Sequence, residues 1–271
     1  MRCASSLALS CLIAGCAAFS PQRAADDAAA AAGFVREELP AGGFHLLAYR
    51  RFEAGDRLTL YIESDGAPWP RRDRPPEDPT PRVPLALRLA LEHPGGSVAW
   101  VSRPCQFLSE AELARCDSRY WRRARYGEDV VQALDAAAGQ LLRESGARRL
   151  VLIGYSGGGA VAALVAARRS DVELLVTVGG VLDTTAWTAA HGVTPLDQSL
   201  NPADHAASLH ATRQAHLVGD ADAVTPPFLA ESFAARAGPR ARVLRLSARD
   251  HDCCWERDWT QLISRILEDS P

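Results

Sequence analysis

The sequence predicts an α/β protein whose mostly parallel central sheet is flanked by helices on both faces. Short strand-like runs recur along the chain ("SVAWVS", "LVLIG", "ELLVTVGG", "QAHLVG", "ARVLRLS"), with helix-like segments between them. The runs are near-continuously apolar rather than alternating, which is the pattern of strands covered on both faces. With 271 residues, 47% of them hydrophobic and 23% charged, the chain is long enough for one large buried core.

The first sixteen residues, "MRCASSLALSCLIAGC", carry Arg2, then an apolar run from Leu7 to Gly15 that is too short to span a bilayer, then a cysteine. Residues 1–15 therefore predict an export signal. "IAGC" resembles a bacterial lipobox, which implies acylation of Cys16 and a lipid anchor in the cell envelope, with a plain secretory signal as the alternative. Ala17 resembles the residue that sorts such proteins to the outer membrane, facing the periplasm. Residues 16–33, rich in alanine with little to bury, are expected to be a flexible tether. The folded domain is expected over 34–271.

"FHLLAYRRF" and "LTLYIES" flank the turn-like "EAGD" and predict a β-hairpin. Residues 66–84 contain seven prolines and predict a long loop directly after the second strand. "SVAWVS" at 97–102 predicts a strand. From Glu128 to Ser145 the residues Val130, Val131, Leu134, Ala137, Ala138, Leu141 and Leu142 form one apolar stripe, which predicts a helix. "LVLIG" leads into an alanine-rich helix, and "ELLVTVGG" leads into an insert over 181–212 placed to roof a pocket. Helices are expected near 228–236 and 256–267, each after a strand.

A formal net charge of −3 gives no reason to propose nucleic acid as a partner, because phosphate binding normally needs a clustered basic surface. Export would leave Cys105, Cys116, Cys253 and Cys254 in an oxidising compartment, with Cys3 and Cys11 lost with the signal. Cys105 and Cys116 flank a loop and are expected to form a disulfide. Adjacent Cys253 and Cys254 could bridge or stay reduced. Neither spacing suits zinc, and no metal site is expected.

In "VLIGYSGGGAVAAL", a strand turns through glycines into a helix with Ser156 at the bend. Such a turn exposes a hydroxyl above a sheet but crowds the backbone, so small residues are needed two positions before and after it. Gly154 and Gly158 hold those positions. A nucleophilic serine needs a base and an orienting carboxylate. His251, after the last strand, is the favoured histidine over His45, His93, His191, His205, His210 and His216. In "HLVGDADAVTPP" Asp222 is the favoured acid, Asp220 is expected to cap the turn, and Asp183 is the outside candidate.

The order Ser156, Asp222, His251, carried by "GYSGG", "GDADAVTP" and "RDHDCCW", resembles that of the α/β-hydrolases. Phrases such as "YIESDGAPW" and "SLNPADH" are similar to an uncharacterised group of exported bacterial hydrolases. The resemblance implies an esterase-like serine hydrolase acting through an acyl-enzyme on a small acyl substrate, with no cofactor. Acyl transfer, peptide cleavage and a non-catalytic binding role are the alternatives. It also implies oxyanion donors at the backbone N–H of Gly157 and of Ala67, although "ESDG" stands where many members have His-Gly. Trp69, Trp187 and Phe107 are candidates for an apolar pocket wall. The arginines of "RYWRRARY" read as a solvated face, with an acidic-group site as the alternative.

Overall fold

The computed structural model describes residues 20–67 and 74–269. The signal at 1–15, Cys16 and Trp69 lie outside the described residues. In chain order the elements are helix α1 (Pro21–Ala31), strands β1 (Val35–Ala41), β2 (Phe44–Arg51) and β3 (Arg57–Ile62), helix α2 (Leu85–Leu91) and strand β4 (Ser97–Val101). Helices α3 (Glu110–Leu113) and α4 (Glu128–Ser145) precede the unit β5 (Arg149–Tyr155), α5 (Gly157–Ala166) and β6 (Val172–Val178). Then come α6 (Thr184–His191), α7 (Pro202–His205), β7 (Arg213–Gly219), α8 (Pro227–Ala237), β8 (Ala241–Leu246) and α9 (Trp259–Glu268).

Among the described residues the strands form one eight-stranded sheet in the order β1-β2-β4-β3-β5-β6-β7-β8. From β4 to β8 every pairing is parallel, and β1 and β2 run antiparallel at one edge. Alternate residues of the inner strands feed two separate cores. Leu58, Leu60 and Leu152 face the layer that holds α4, α5 and α8, while Tyr61, Val151 and Ile153 face the layer of α1, α2 and α9. This two-sided burial is why the strands read as apolar runs.

The expected hairpin is in the wrong place. β2 pairs with β1 and β4, while β3 pairs with β4 and β5, so the segments around "EAGD" are not partners. The real hairpin joins β1 to β2 through Gly42 and Gly43, at φ +57° and +88°. Both central residues in the left-handed region make the tight turn whose twist matches paired strands. β1 does not read as a strand because "VREELPA" is charged and mostly exposed, as an edge strand tolerates.

The expected tether is also corrected over much of its length. Pro21–Ala31 is a helix capped by the Ser20 hydroxyl and docked on the sheet through buried Ala25 and Ala29. The Tyr49 hydroxyl donates to Asp26 at 2.8 Å and pins the helix to β2. Alanine suits both positions because a small side chain allows a close approach. Helix α4 spans the expected residues and ends at Gly146 with φ +71°, the left-handed cap that glycine favours. Cys105 and Cys116 are bonded, as are Cys253 and Cys254.

Candidate active site

Ser156 follows β5 directly and sits at φ +53°, ψ −122°, a strained conformation for a residue with a side chain. Its glycine neighbours are required by close approach of backbone. A Cβ on Gly154 would lie 2.2 Å from the carbonyl oxygen of Gly158, and one on Gly158 would lie 2.3 Å from that of Ile62. The bend thus packs β5, α5 and the end of β3 with no room for a methyl group.

The loops after β7 and β8 bring two further groups to this bend. His251 Nε2 lies 2.9 Å from Ser156 Oγ, and His251 Nδ1 lies 2.9 Å from Asp222 Oδ2. The Asp222 side chain is fully buried, and that of His251 is 11% exposed. Burial alone pushes the Asp222 carboxyl up. The His251 hydrogen bond and charge, with bonds from the Thr225 N–H and hydroxyl, outweigh burial and hold it below the ordinary carboxylate value. Asp222 also accepts the N–H of Val224 and of Thr225 on Oδ1, so it shapes its own turn. The turn-capping role expected of Asp220 therefore belongs to Asp222. Asp183 caps α6 and lies beside Arg236 instead.

Three groups hold the histidine loop. The Tyr155 hydroxyl shares its one hydrogen between the His251 carbonyl at 3.1 Å and Asp252 Oδ1 at 3.0 Å, and its ring centroid is 5.2 Å from the imidazole. Trp255 Nε1 donates to the carbonyls of Asp250 and His251. Thr225 Oγ1 donates to Asp222 Oδ2 at 2.7 Å and lies 3.2 Å from His251 Nδ1. None of the three was anticipated from sequence, although Thr225 stands three residues after the acid, where such turns close.

No protein-family model matches the chain. No curated protein matches it. Solved structures do match. The esterase Pf2001 of Pyrococcus furiosus is 13% identical, covers 88% of this chain and 94% of its own, and superposes with a TM-score of 0.61. Est1E from Butyrivibrio proteoclasticus is 11% identical over 86% of this chain and 98% of its own, also at 0.61. The chain has the α/β-hydrolase fold. A Mycobacterium tuberculosis puromycin-hydrolyzing peptidase resembles it too, at 18% identity and TM-score 0.61, covering 86% of this chain and 38% of its own.

Within this α/β-hydrolase fold the bend opens into a cavity of about 640 Å³, lined among others by Ser64, Asp65, Trp121, Arg125, Tyr155, Trp187 and His251. Trp187 is on the wall, as expected. Phe107 is not, because it is buried edge-on against Trp100 at 5.4 Å. Trp121 lines the cavity instead, fixed by its Nε1 bond to the Pro76 carbonyl in the proline-rich loop.

The expected donor at Ala67 is corrected. Gly66 at φ +93° turns the chain so that the Ala67 N–H donates to the Pro79 carbonyl at 2.9 Å and is occupied. Asp65 lies closer to the bend, since a Cβ on Gly157 would be 2.0 Å from Asp65 Oδ1. Gly157, the first residue of α5, points an N–H out of the helix start, where no intrahelical acceptor exists.

Proposed function

We propose that this protein is a serine hydrolase that cleaves carboxylic esters or related acyl bonds through an acyl-enzyme. The observation that carries the reading is the unbroken relay of two 2.9 Å hydrogen bonds from Ser156 through His251 to Asp222, each residue at the end of a different parallel strand. His251 takes the Ser156 proton as Oγ attacks the carbonyl carbon, and returns it to the leaving alcohol when the tetrahedral adduct collapses. Asp222 fixes the imidazole with Nε2 toward the serine and stabilises its charged form. Water, deprotonated by His251, then releases the acid and restores Ser156.

The adduct's negative oxygen needs preorganised donors. The Gly157 N–H at the start of α5 is one. We assign the second to the Asp65 N–H, because Ala67 is occupied and Asp65 abuts Gly157. The similarity to esterases supports ester cleavage, and the peptidase among the structural neighbours makes an amide substrate worth an assay arm. The lipobox-like "IAGC" supports an envelope-anchored enzyme bound through Cys16.

The test is labelling by a fluorophosphonate probe of wild type, Ser156→Ala and His251→Ala. Wild type is expected to label, the serine variant not at all, and the histidine variant far more slowly. Equal labelling of the serine variant would overturn the assignment. For the anchor, Cys16→Ala is expected to move the protein from the membrane to the soluble fraction, and unchanged membrane recovery would remove that reading.

A further inference from the structure

Two buried arginines converge on one carboxylate beside Ser156. Arg103 Nη1 lies 3.3 Å from Asp65 Oδ1, and Arg125 Nη1 lies 3.1 Å from Asp65 Oδ2. The Tyr126 hydroxyl donates to that same Oδ2 at 2.6 Å. The side chains of Arg103, Arg125 and Asp65 are 4%, 11% and 22% exposed. Two guanidinium groups against one carboxylate leave an excess positive charge in a region largely withdrawn from water, where an unbalanced charge is costly. Asp65 has little capacity left, since three donors already share its two oxygens.

The two arginines differ in what they face. Arg103 is wholly committed to the protein: it also donates to the Arg125 carbonyl, and its Nε is buried without a partner. Arg125 lines the cavity with Ser156. Its Nε donates to the Arg122 carbonyl and its Nη1 to Asp65, and its Nη2 has no hydrogen-bond partner among the described residues. Because Asp65 abuts Gly157 and accepts from Arg125 Nη1, the Arg125 guanidinium lies one carboxylate away from the turn that carries the serine. The remaining charges on the cavity wall do not cancel the excess. Arg88 pairs with Glu256 at 3.2 Å, Asp252 is exposed and accepts from Tyr155, and Arg82 at the rim has no ion pair among the described residues.

Building on the serine-hydrolase reading, we propose that the substrate's acyl group carries a carboxylate, received by the Nη2 edge of Arg125 while Ser156 attacks the ester at the other end. Arg103 supplies charge from behind and Asp65 aims the Arg125 guanidinium. Such a bond is charge-assisted and partly buried, which gives it about ten- to a hundredfold leverage on binding. It forms with substrate and acyl-enzyme alike, so it acts through KM more than kcat.

The experiment compares mono-p-nitrophenyl adipate with p-nitrophenyl hexanoate, which have the same chain length and differ in the terminal carboxylate. Wild type is expected to show at least about tenfold higher kcat/KM on the adipate ester, mostly through KM. Free adipate is expected to slow fluorophosphonate labelling of Ser156, and adipamide is not. Arg125→Gln should bring the adipate-to-hexanoate ratio toward one. The ratio is internal to each variant, so partial loss of folded protein does not imitate the effect. Arg82→Gln, at an exposed site, should lower the ratio less. Hydrolysis of hexanoate with no adipate preference, or labelling without adipate protection, overturns this proposal and leaves the serine-hydrolase reading intact. Absence of labelling overturns that reading, and this one with it.

Discussion

Two oxygens compete for the Nδ1 edge of His251: Asp222 Oδ2 at 2.9 Å and Thr225 Oγ1 at 3.2 Å. The threonine hydroxyl has only one hydrogen and gives it to Asp222 Oδ2, so both oxygens facing Nδ1 are acceptors, Nδ1 carries the proton toward the nearer, charged carboxylate, and Nε2 is left to accept from Ser156. Asp222→Asn would present an amide with a donor of its own and favour the wrong tautomer. It is expected to lower kcat about 10³–10⁴-fold with the unfolding midpoint little changed, measured on any ester the wild type cleaves. Thr225→Val removes one of four donors to Asp222 and is expected to lower kcat only several-fold, with a rise toward the ordinary carboxylate pKa of Asp222 visible by NMR. Ser156, Asp222 and His251 were legible because each follows an apolar strand in a set order. Arg125 was not, since "RYWRRARY" gives its arginines identical chemistry and only the fold separates them. Arg119 pairs with Asp129 and Arg123 with Asp197 at the surface, while Arg125 turns inward.

At the scale of elements, glycines in similar company do different jobs. Gly158 meets backbone oxygens of Ile62 and Glu63 at 2.3 and 2.5 Å from where a Cβ would stand, so Gly158→Ala forces β3 and α5 apart. A loss of about 1–3 kcal/mol in urea unfolding is expected, together with loss of labelling at Ser156. Gly139 lies within α4, and a Cβ there would meet first the flexible end of Arg143 at 3.4 Å. Gly139→Ala is therefore expected to stabilise by about 0.5–1 kcal/mol, as alanine does within a helix. Helix α4 could be read from its apolar stripe, and strands β4 to β7 as apolar runs because they are buried on both faces. The pairing of β2 is harder to read, because both β1 and β3 lie near it in sequence and only the turn residues say which neighbour it takes. The Gly42-Gly43 pair carries that information, because two consecutive residues at positive φ make the tight turn that "EAGD", with its one glycine, does not demand.

For the molecule as a whole, two buried histidines contribute to the response to acid. His93, against the Tyr61 hydroxyl at 2.8 Å, has its pKa lowered to about 4 by burial and by the charges of Arg51 and Arg57. His216, fully buried and 2.9 Å from Thr177 Oγ1, is lowered to about 3 by burial. The unfolded chain takes up protons at these sites near pH 6.5 and the folded chain does not. Their contribution to stability is therefore full above pH 6.5 and falls as pH drops from 6.5 toward 4, by about 1.4 kcal/mol per pH unit for each histidine, while the buried Glu63 carboxyl, pushed up by burial, acts in the opposite sense. Urea unfolding at pH 7.5, 6 and 5 measures this, and His93→Gln should flatten the slope. The docking of α1 bears on the anchored reading in another way. A seventeen-residue leash would let the enzyme patrol a wide shell above a bilayer. With Ser20 already capping a helix fixed to the sheet, at most four peptide units separate Cys16 from the folded body, a contour of about 14 Å. Such an enzyme would ride close against the lipid headgroups, meeting esters held in or near the membrane plane before those diffusing free. A flexible ten-residue insertion after position 19 should then raise turnover of soluble esters relative to vesicle-borne ones.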